Sequence, residues 1–105
     1  MKIQIEDNDL KELILTGSNN KYKQLARDKQ FMTALGRAYR LLEIVENANG
    51  LKRYSFLHYE QLKGVRKSSI LIINGRVERL VFEETNNGIE IQALELNRDH
   101  YGNKK

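Results

Sequence analysis

The stretch Ser69-Ile70-Leu71-Ile72-Ile73-Asn74-Gly75-Arg76-Val77-Glu78-Arg79-Leu80-Val81-Phe82 decides the reading of this chain. Two apolar runs flank the dipeptide Asn74-Gly75. Asn-Gly between such runs is a strong hairpin signal, because a type I′ turn needs φ > 0 at both central residues. A third apolar run, residues 89–96, follows Asn86-Asn87-Gly88, so the spacing predicts a three-stranded antiparallel meander. A two-residue turn would set Ile73 opposite Arg76, Ile72 opposite Val77 and Ile70 opposite Arg79. On that register Leu71, Ile73, Leu80, Phe82, Ile91 and Ala93 share one face. Ile70, Ile72, Val77, Arg79, Val81 and Leu94 share the other. A chain of 105 residues has helix enough to cover one face fully. We expect the Leu80/Phe82 face to be covered and the Arg79 face to stay partly open to a substrate.

Upstream, Ile3 and Ile5 alternate with polar residues, as in a short strand. Asp7, Asn8 or Asp9 can cap a helix carrying Leu10, Leu13 and Ile14, and Gly17 is placed to end it. A longer helix is expected from about Lys21 to Glu46. Leu25, Met32, Leu35, Leu42 and Val45 recur there at helical spacing, widened by Phe31, Ala34, Ala38 and Leu41. Gly36 interrupts it, a cost that close packing on the first helix would explain. Asn47-Ala48-Asn49-Gly50 ends it. Tyr54 and Phe56 suggest a strand over residues 51–57, and residues 58–67 read as a polar connection. The fold class that follows is α+β, two N-terminal helices packed on a twisted antiparallel sheet, in a single domain over residues 1–105.

The bulk composition narrows the function. Forty per cent of the chain is hydrophobic, 30% is charged, and the formal charge is +4 with a pI near 9.4. That balance suits a folded domain with RNA, DNA or an acidic protein as partner. Cysteine is absent, which removes disulfides, thiolate catalysis and Cys-based zinc sites and fits a cytoplasmic protein. There is no apolar run of about 18 residues, so no membrane-spanning helix is expected. No secretory signal is apparent at the start. Between Lys52 and Arg79 stand seven cations, Lys52, Arg53, Lys63, Arg66, Lys67, Arg76 and Arg79, against Glu60 and Glu78. This segment nets +5 and leaves −1 for the remainder of the chain.

Arg79 is the first candidate for chemistry. In mid-strand it either pairs with an acid such as Glu90 or Glu95 or offers its forked donors to an anion. The two histidines are His58 and His100, with no adjacent acid at metal-ligand spacing; no metal and no cofactor are expected. Cleavage of RNA without a metal needs few parts. A base takes the ribose 2′-OH proton, cations stabilise the phosphorane, and an acid protonates the leaving 5′-oxygen. DNA lacks the 2′-OH, so such a site is RNA-selective.

Leu62-Lys63-Gly64-Val65-Arg66-Lys67, the strand 70–73, Gly75-Arg76-Val77-Glu78-Arg79-Leu80-Val81-Phe82 and the terminal His100-Tyr101 together resemble toxins of the RelE/ParE superfamily, most closely the HigB-like group. The resemblance implies a ribosome-dependent endoribonuclease that cuts mRNA, neutralised by a cognate antitoxin of helix-turn-helix type. It implies catalytic roles for Lys63, Arg79 and His100. Arg66, Lys67, Arg76, Tyr101 and His58 would contact the substrate. Some relatives carry His where this chain has Glu60, and Tyr where it has Asp99, which leaves the general base open between His100 and Lys63. Two other readings share the fold: a ParE-like inhibitor of DNA gyrase, and a non-catalytic module that binds RNA or protein.

Overall fold

The computed structural model describes residues 1–98. Helices pack on one face of a five-stranded mixed sheet, an α+β arrangement. The elements in chain order are β1 (Lys2–Ile3), α1 (Asn8–Thr16), α2 (Lys23–Ala26) and α3 (Lys29–Ile44). Two 3₁₀ segments follow, Ala48–Arg53 and Ser55–Leu57. Then come β2 (Glu60–Gln61), β3 (Ser68–Leu71), β4 (Arg79–Thr85), a third 3₁₀ turn, Asn86–Gly88, and β5 (Glu90–Asn97).

The first helix forms where its capping residues predict. The Asp7 side chain accepts the backbone N–H groups of Asp9 and Leu10 at 3.0 and 3.1 Å, satisfying donors that have no partner within the helix. Gly17 ends the helix with φ 77, a left-handed conformation that glycine adopts without a Cβ clash. Leu10 and Leu13 point into the core. The long helix expected from Lys21 to Glu46 is instead two. Asp28 takes an extended conformation and its carboxylate accepts the Phe31 N–H at 3.0 Å, starting α3 afresh. A short acidic side chain satisfies helix donors better as a cap than in a helix interior. Phe31, Ala34, Leu35, Ala38 and Leu42 then line the buried side of α3.

The region expected as a strand over residues 51–57 is 3₁₀ instead. Ala48, Leu51 and Leu57 are buried and Tyr54 is half-buried between them. Burial thus recurs every three residues, the period of a 3₁₀ helix and not of a strand. The Asn47 side chain starts the segment by accepting the Gly50 N–H at 3.2 Å. The polar connection expected after it contains β2 and a hairpin. Leu62 N–H donates to the Lys67 carbonyl at 2.8 Å, closing a loop in which Gly64 has φ 79.

The strand order is β1-β5-β4-β3-β2. All neighbours are antiparallel except β1, which runs parallel to β5, so the sheet is mixed where a purely antiparallel one was expected. Two of the expected pairings also shift. Asn74-Gly75 does turn the chain, with Arg76 N–H donating to the Ile73 carbonyl at 3.1 Å. Only Gly75 has positive φ, however, so the turn is not type I′. The ladder starts farther out, pairing Leu71 with Arg79 and Ile70 with Leu80. Ile70 therefore joins the core face and Leu71 leaves it, the reverse of the expectation. Between β4 and β5 the register slips by one residue between Val81 and Glu83, and Ala93 has φ 55. This bulge lets both Ile91 and Leu94 reach the core, whereas unbroken alternation puts Leu94 on the open side. The central expectation holds: Leu80 and Phe82 are fully buried in the helix-covered core.

Gly36 is exposed, and a Cβ built on it would meet nothing within 4 Å. Close packing on α1 therefore does not explain it. Gly36→Ala is expected to stabilise the fold by up to about 1 kcal/mol, through helix propensity and a less flexible unfolded chain. Urea unfolding checks this as a higher midpoint at unchanged slope.

Candidate active site

β4 alternates Arg79, Leu80, Val81 and Phe82, and Leu80 and Phe82 face the helices. Arg79 and Val81 consequently face the other way. Paired residues of adjacent strands share a face, so the row Glu60–Ser69–Val81–Glu95 crosses β2 to β5, with Leu71–Arg79–Asn97 beside it. Leu71 and Val81 are buried and form an apolar floor. Over it, Arg79 Nη1 donates to Ser69 Oγ at 3.2 Å and lies 3.9 Å from Glu60 Oε2. Lys67 Nζ lies 3.4 Å from Glu95 Oε2.

Neither acid anticipated for Arg79 is its partner; Glu60 is. The Glu60 side chain is 53% exposed and that of Arg79 21%, so the guanidinium is half-sunk while its carboxylate stays accessible. Ser69 is the one hydrogen-bond acceptor that Arg79 engages among the described residues. A guanidinium has five N–H donors, so the described residues leave most of this fork available to a planar or tetrahedral oxyanion. Arg79 with one loose carboxylate therefore juxtaposes an anion-binding group and a proton acceptor on the face of the sheet away from the helices.

The other expected site residues divide. Lys63 and Arg66 are exposed in the loop between β2 and β3, and neither forms an ion pair among the described residues. Arg66 and Lys67 border a groove of about 490 Å³ that Ser68, Glu84 and residues 85–88 also line. His58 is exposed and has φ 48, ending the second 3₁₀ segment. His100 and Tyr101 lie outside the described residues. Arg76, expected to contact the substrate, is engaged in an ion-pair network at the start of α3. Its guanidinium donates to Asp28 Oδ2 at 2.8 Å and to both Glu78 oxygens at 3.1 Å, and it lies 5.7 Å over the Phe31 ring. It fastens the β3–β4 connection to the start of α3. The basic segment is thus dispersed. Lys67 and Arg79 face two acids on the sheet, Lys63 and Arg66 stand on the adjacent loop, and Lys52 and Arg53 are exposed on a 3₁₀ segment. Among the described residues, no group of three or more His, Asp or Glu side chains is arranged to hold a metal ion. No helix among them is long and apolar enough to cross a membrane.

Glu60, singled out in the sequence only as standing where some relatives carry His, is the acid that faces Arg79. The signal was available: a hairpin centred on Gly64 puts Glu60 opposite Ser69, on the Arg79 side of the sheet.

No protein-family profile matches the chain, and no curated protein does. Solved structures do. The YoeB dimer from Staphylococcus aureus matches with a TM-score of 0.47 and 18% identity, over 96% of this chain and 98% of that one. The YoeB–YefM complex from the same organism matches with 0.46 and 18% over the same shares. A heterotetrameric YoeB–YefM toxin–antitoxin complex from it matches with 0.45 and 20%. All three structures contain YoeB, and none is described as HigB-like.

Asp28 gives the ion-pair network a pH signature. Hydrogen bonds from Arg76, and then from the Phe31 backbone, hold its carboxyl below the ordinary value of 3.8. A depressed folded-state value adds stability above the unfolded-state value and loses it as pH falls through the folded one. Wild-type stability should therefore fall below about pH 4. Asp28→Asn keeps a capping side chain but not the charge, so its urea midpoint should vary less with pH over that acid limb. Identical acid limbs would show that the pair adds nothing.

Proposed function

We propose that this protein is the toxin of a type II toxin–antitoxin pair and cuts mRNA on the ribosome by 2′-OH transesterification. The observation that carries the reading is the Arg79–Glu60 pair on the sheet face turned away from the helices, with Lys63 and Arg66 exposed on the β2–β3 loop and in no ion pair among the described residues. Glu60 takes the proton from the ribose 2′-OH. The freed 2′-oxygen attacks the adjacent phosphorus, and Arg79 donates to the non-bridging oxygens as charge builds on the phosphorane. The bond to the 5′-oxygen breaks, and an acid protonates that oxygen. His100 is the assignment for that acid, with Lys63 as the other group in proton transfer. The products are a 2′,3′-cyclic phosphate and a 5′-hydroxyl. Arg66 and Lys67 contact flanking phosphates, which makes substrate affinity fall with salt. Tyr101 stacks on or orients a base.

The same face is where a cytoplasmic antitoxin would act. An acidic segment laid over Lys63, Arg66 and Arg79 would occupy the anion site and hide Glu60. The gyrase-inhibitor reading requires no proton acceptor, so the accessible carboxylate beside Arg79 favours the nuclease.

Primer extension on a reporter mRNA in a translating extract tests this. Wild-type protein should produce codon-associated cuts. Glu60→Gln and Arg79→Ala should each lower cleavage by about 100-fold or more. Because the Glu60 carboxylate is more than half exposed, Glu60→Gln should change unfolding free energy by no more than about 1 kcal/mol. Combined replacement of Lys63, Arg79 and His100 by Ala should relieve growth arrest. Intact mRNA with altered plasmid supercoiling would establish gyrase inhibition instead.

A further inference from the structure

β2 is a two-residue strand at the edge of the sheet, held by the ladder pairs Glu60↔Ser69 and Gln61↔Ser68. So short a ladder specifies register weakly. A slip of one residue would turn Glu60 to the helix-covered face and bring a neighbour up beside Arg79. Besides the Leu62–Lys67 backbone bond that closes the hairpin, one side-chain contact outside the ladder bears on that register.

That contact lies on the opposite face of the sheet. Glu84, on β4, accepts a hydrogen bond from Ser68 Oγ at 2.7 Å, and the same oxygen, Oε2, accepts one from the Tyr59 hydroxyl. Tyr59 immediately precedes Glu60, and Ser68 immediately precedes Ser69. Successive residues of a strand point to opposite faces. One carboxylate on the far side thus ties down the chain neighbours of both groups that engage Arg79. Ser68 is buried and Tyr59 and Glu84 are half-buried, so these bonds are partly withdrawn from water.

We propose that Glu84 is a positioning residue: by holding Tyr59 and Ser68 together it fixes the register of β2 that presents Glu60 to Arg79. The catalytic consequence rests on the nuclease reading; the register does not. Burial first, and the bond to Glu84 second, push the Tyr59 hydroxyl up to about 12. It remains a donor where an ordinary tyrosine ionises.

The test separates the two parts. Amide hydrogen exchange is followed at Leu62, whose N–H closes the β2–β3 hairpin, and at the α3 amides as a reference. Tyr59→Phe keeps the ring and removes one donor; Glu84→Ala removes the acceptor; Glu84→Gln keeps an acceptor oxygen. Tyr59→Phe and Glu84→Ala should speed Leu62 exchange at least tenfold with α3 unchanged, and Glu84→Gln should recover part of the protection. In the translating extract the first two should lower kcat at least tenfold at unchanged KM for programmed ribosomes. Unaltered Leu62 exchange in Tyr59→Phe and Glu84→Ala overturns the proposal. Should Glu84→Ala not fold, Tyr59→Phe alone decides. Faster exchange with undiminished cleavage supports the register contact and counts against Glu60 as the base.

Discussion

The alternation of Arg79, Leu80, Val81 and Phe82 along β4 is the constraint on which the rest of the structure depends. Leu80 and Phe82 are fully buried against the helix layer, in a cluster with Phe31, Leu35 and Leu10. Burying a side chain of this size contributes about 1.5–3 kcal/mol. Moving β4 by one residue would forfeit both and push a guanidinium into the core, where an unpaired charge costs far more. The core therefore dictates where Arg79 goes. It arrives on the face away from the helices with, among the described residues, one serine bond and a loose carboxylate.

Much of this was legible from the residues alone. The capped first helix, the helix-covered Leu80/Phe82 face and the outward Arg79 follow from short-range rules with a single outcome. What was not legible depends on partners distant in the chain. Nothing local tells a two-residue strand such as β1 to run parallel to β5. The register of the β3–β4 hairpin hung on the turn type, and Asn74 does not adopt the positive φ that a type I′ turn requires. The displaced Leu94 reflects a bulge at Ala93, a residue with no intrinsic preference for positive φ. The helix break at Asp28 is different, because the capping signal was present and the apolar periodicity running past it masked it.

The same distinction separates the two arginines of this segment. Arg76 and Arg79 are three residues apart, yet Arg76 reaches the start of α3 and is enclosed by Asp28 and Glu78, while Arg79 faces a half-exposed acid across the sheet. Composition treats them alike. Only the tertiary pairing shows that one anchors a loop and the other is left with donors to offer. Glu60 follows the same logic: as a sequence position it is one of 14 acidic residues, and it gains meaning from standing opposite Ser69.

The central claim is that this open face performs metal-free cleavage of RNA through the ribose hydroxyl. The chemistry of the cut ends tests it most directly. mRNA recovered from a translating extract exposed to the purified protein is assayed for its new termini. The account predicts a 5′-hydroxyl on the downstream fragment and a 2′,3′-cyclic phosphate on the upstream one. Downstream fragments bearing a 5′-phosphate, or mRNA that survives uncut, would contradict it.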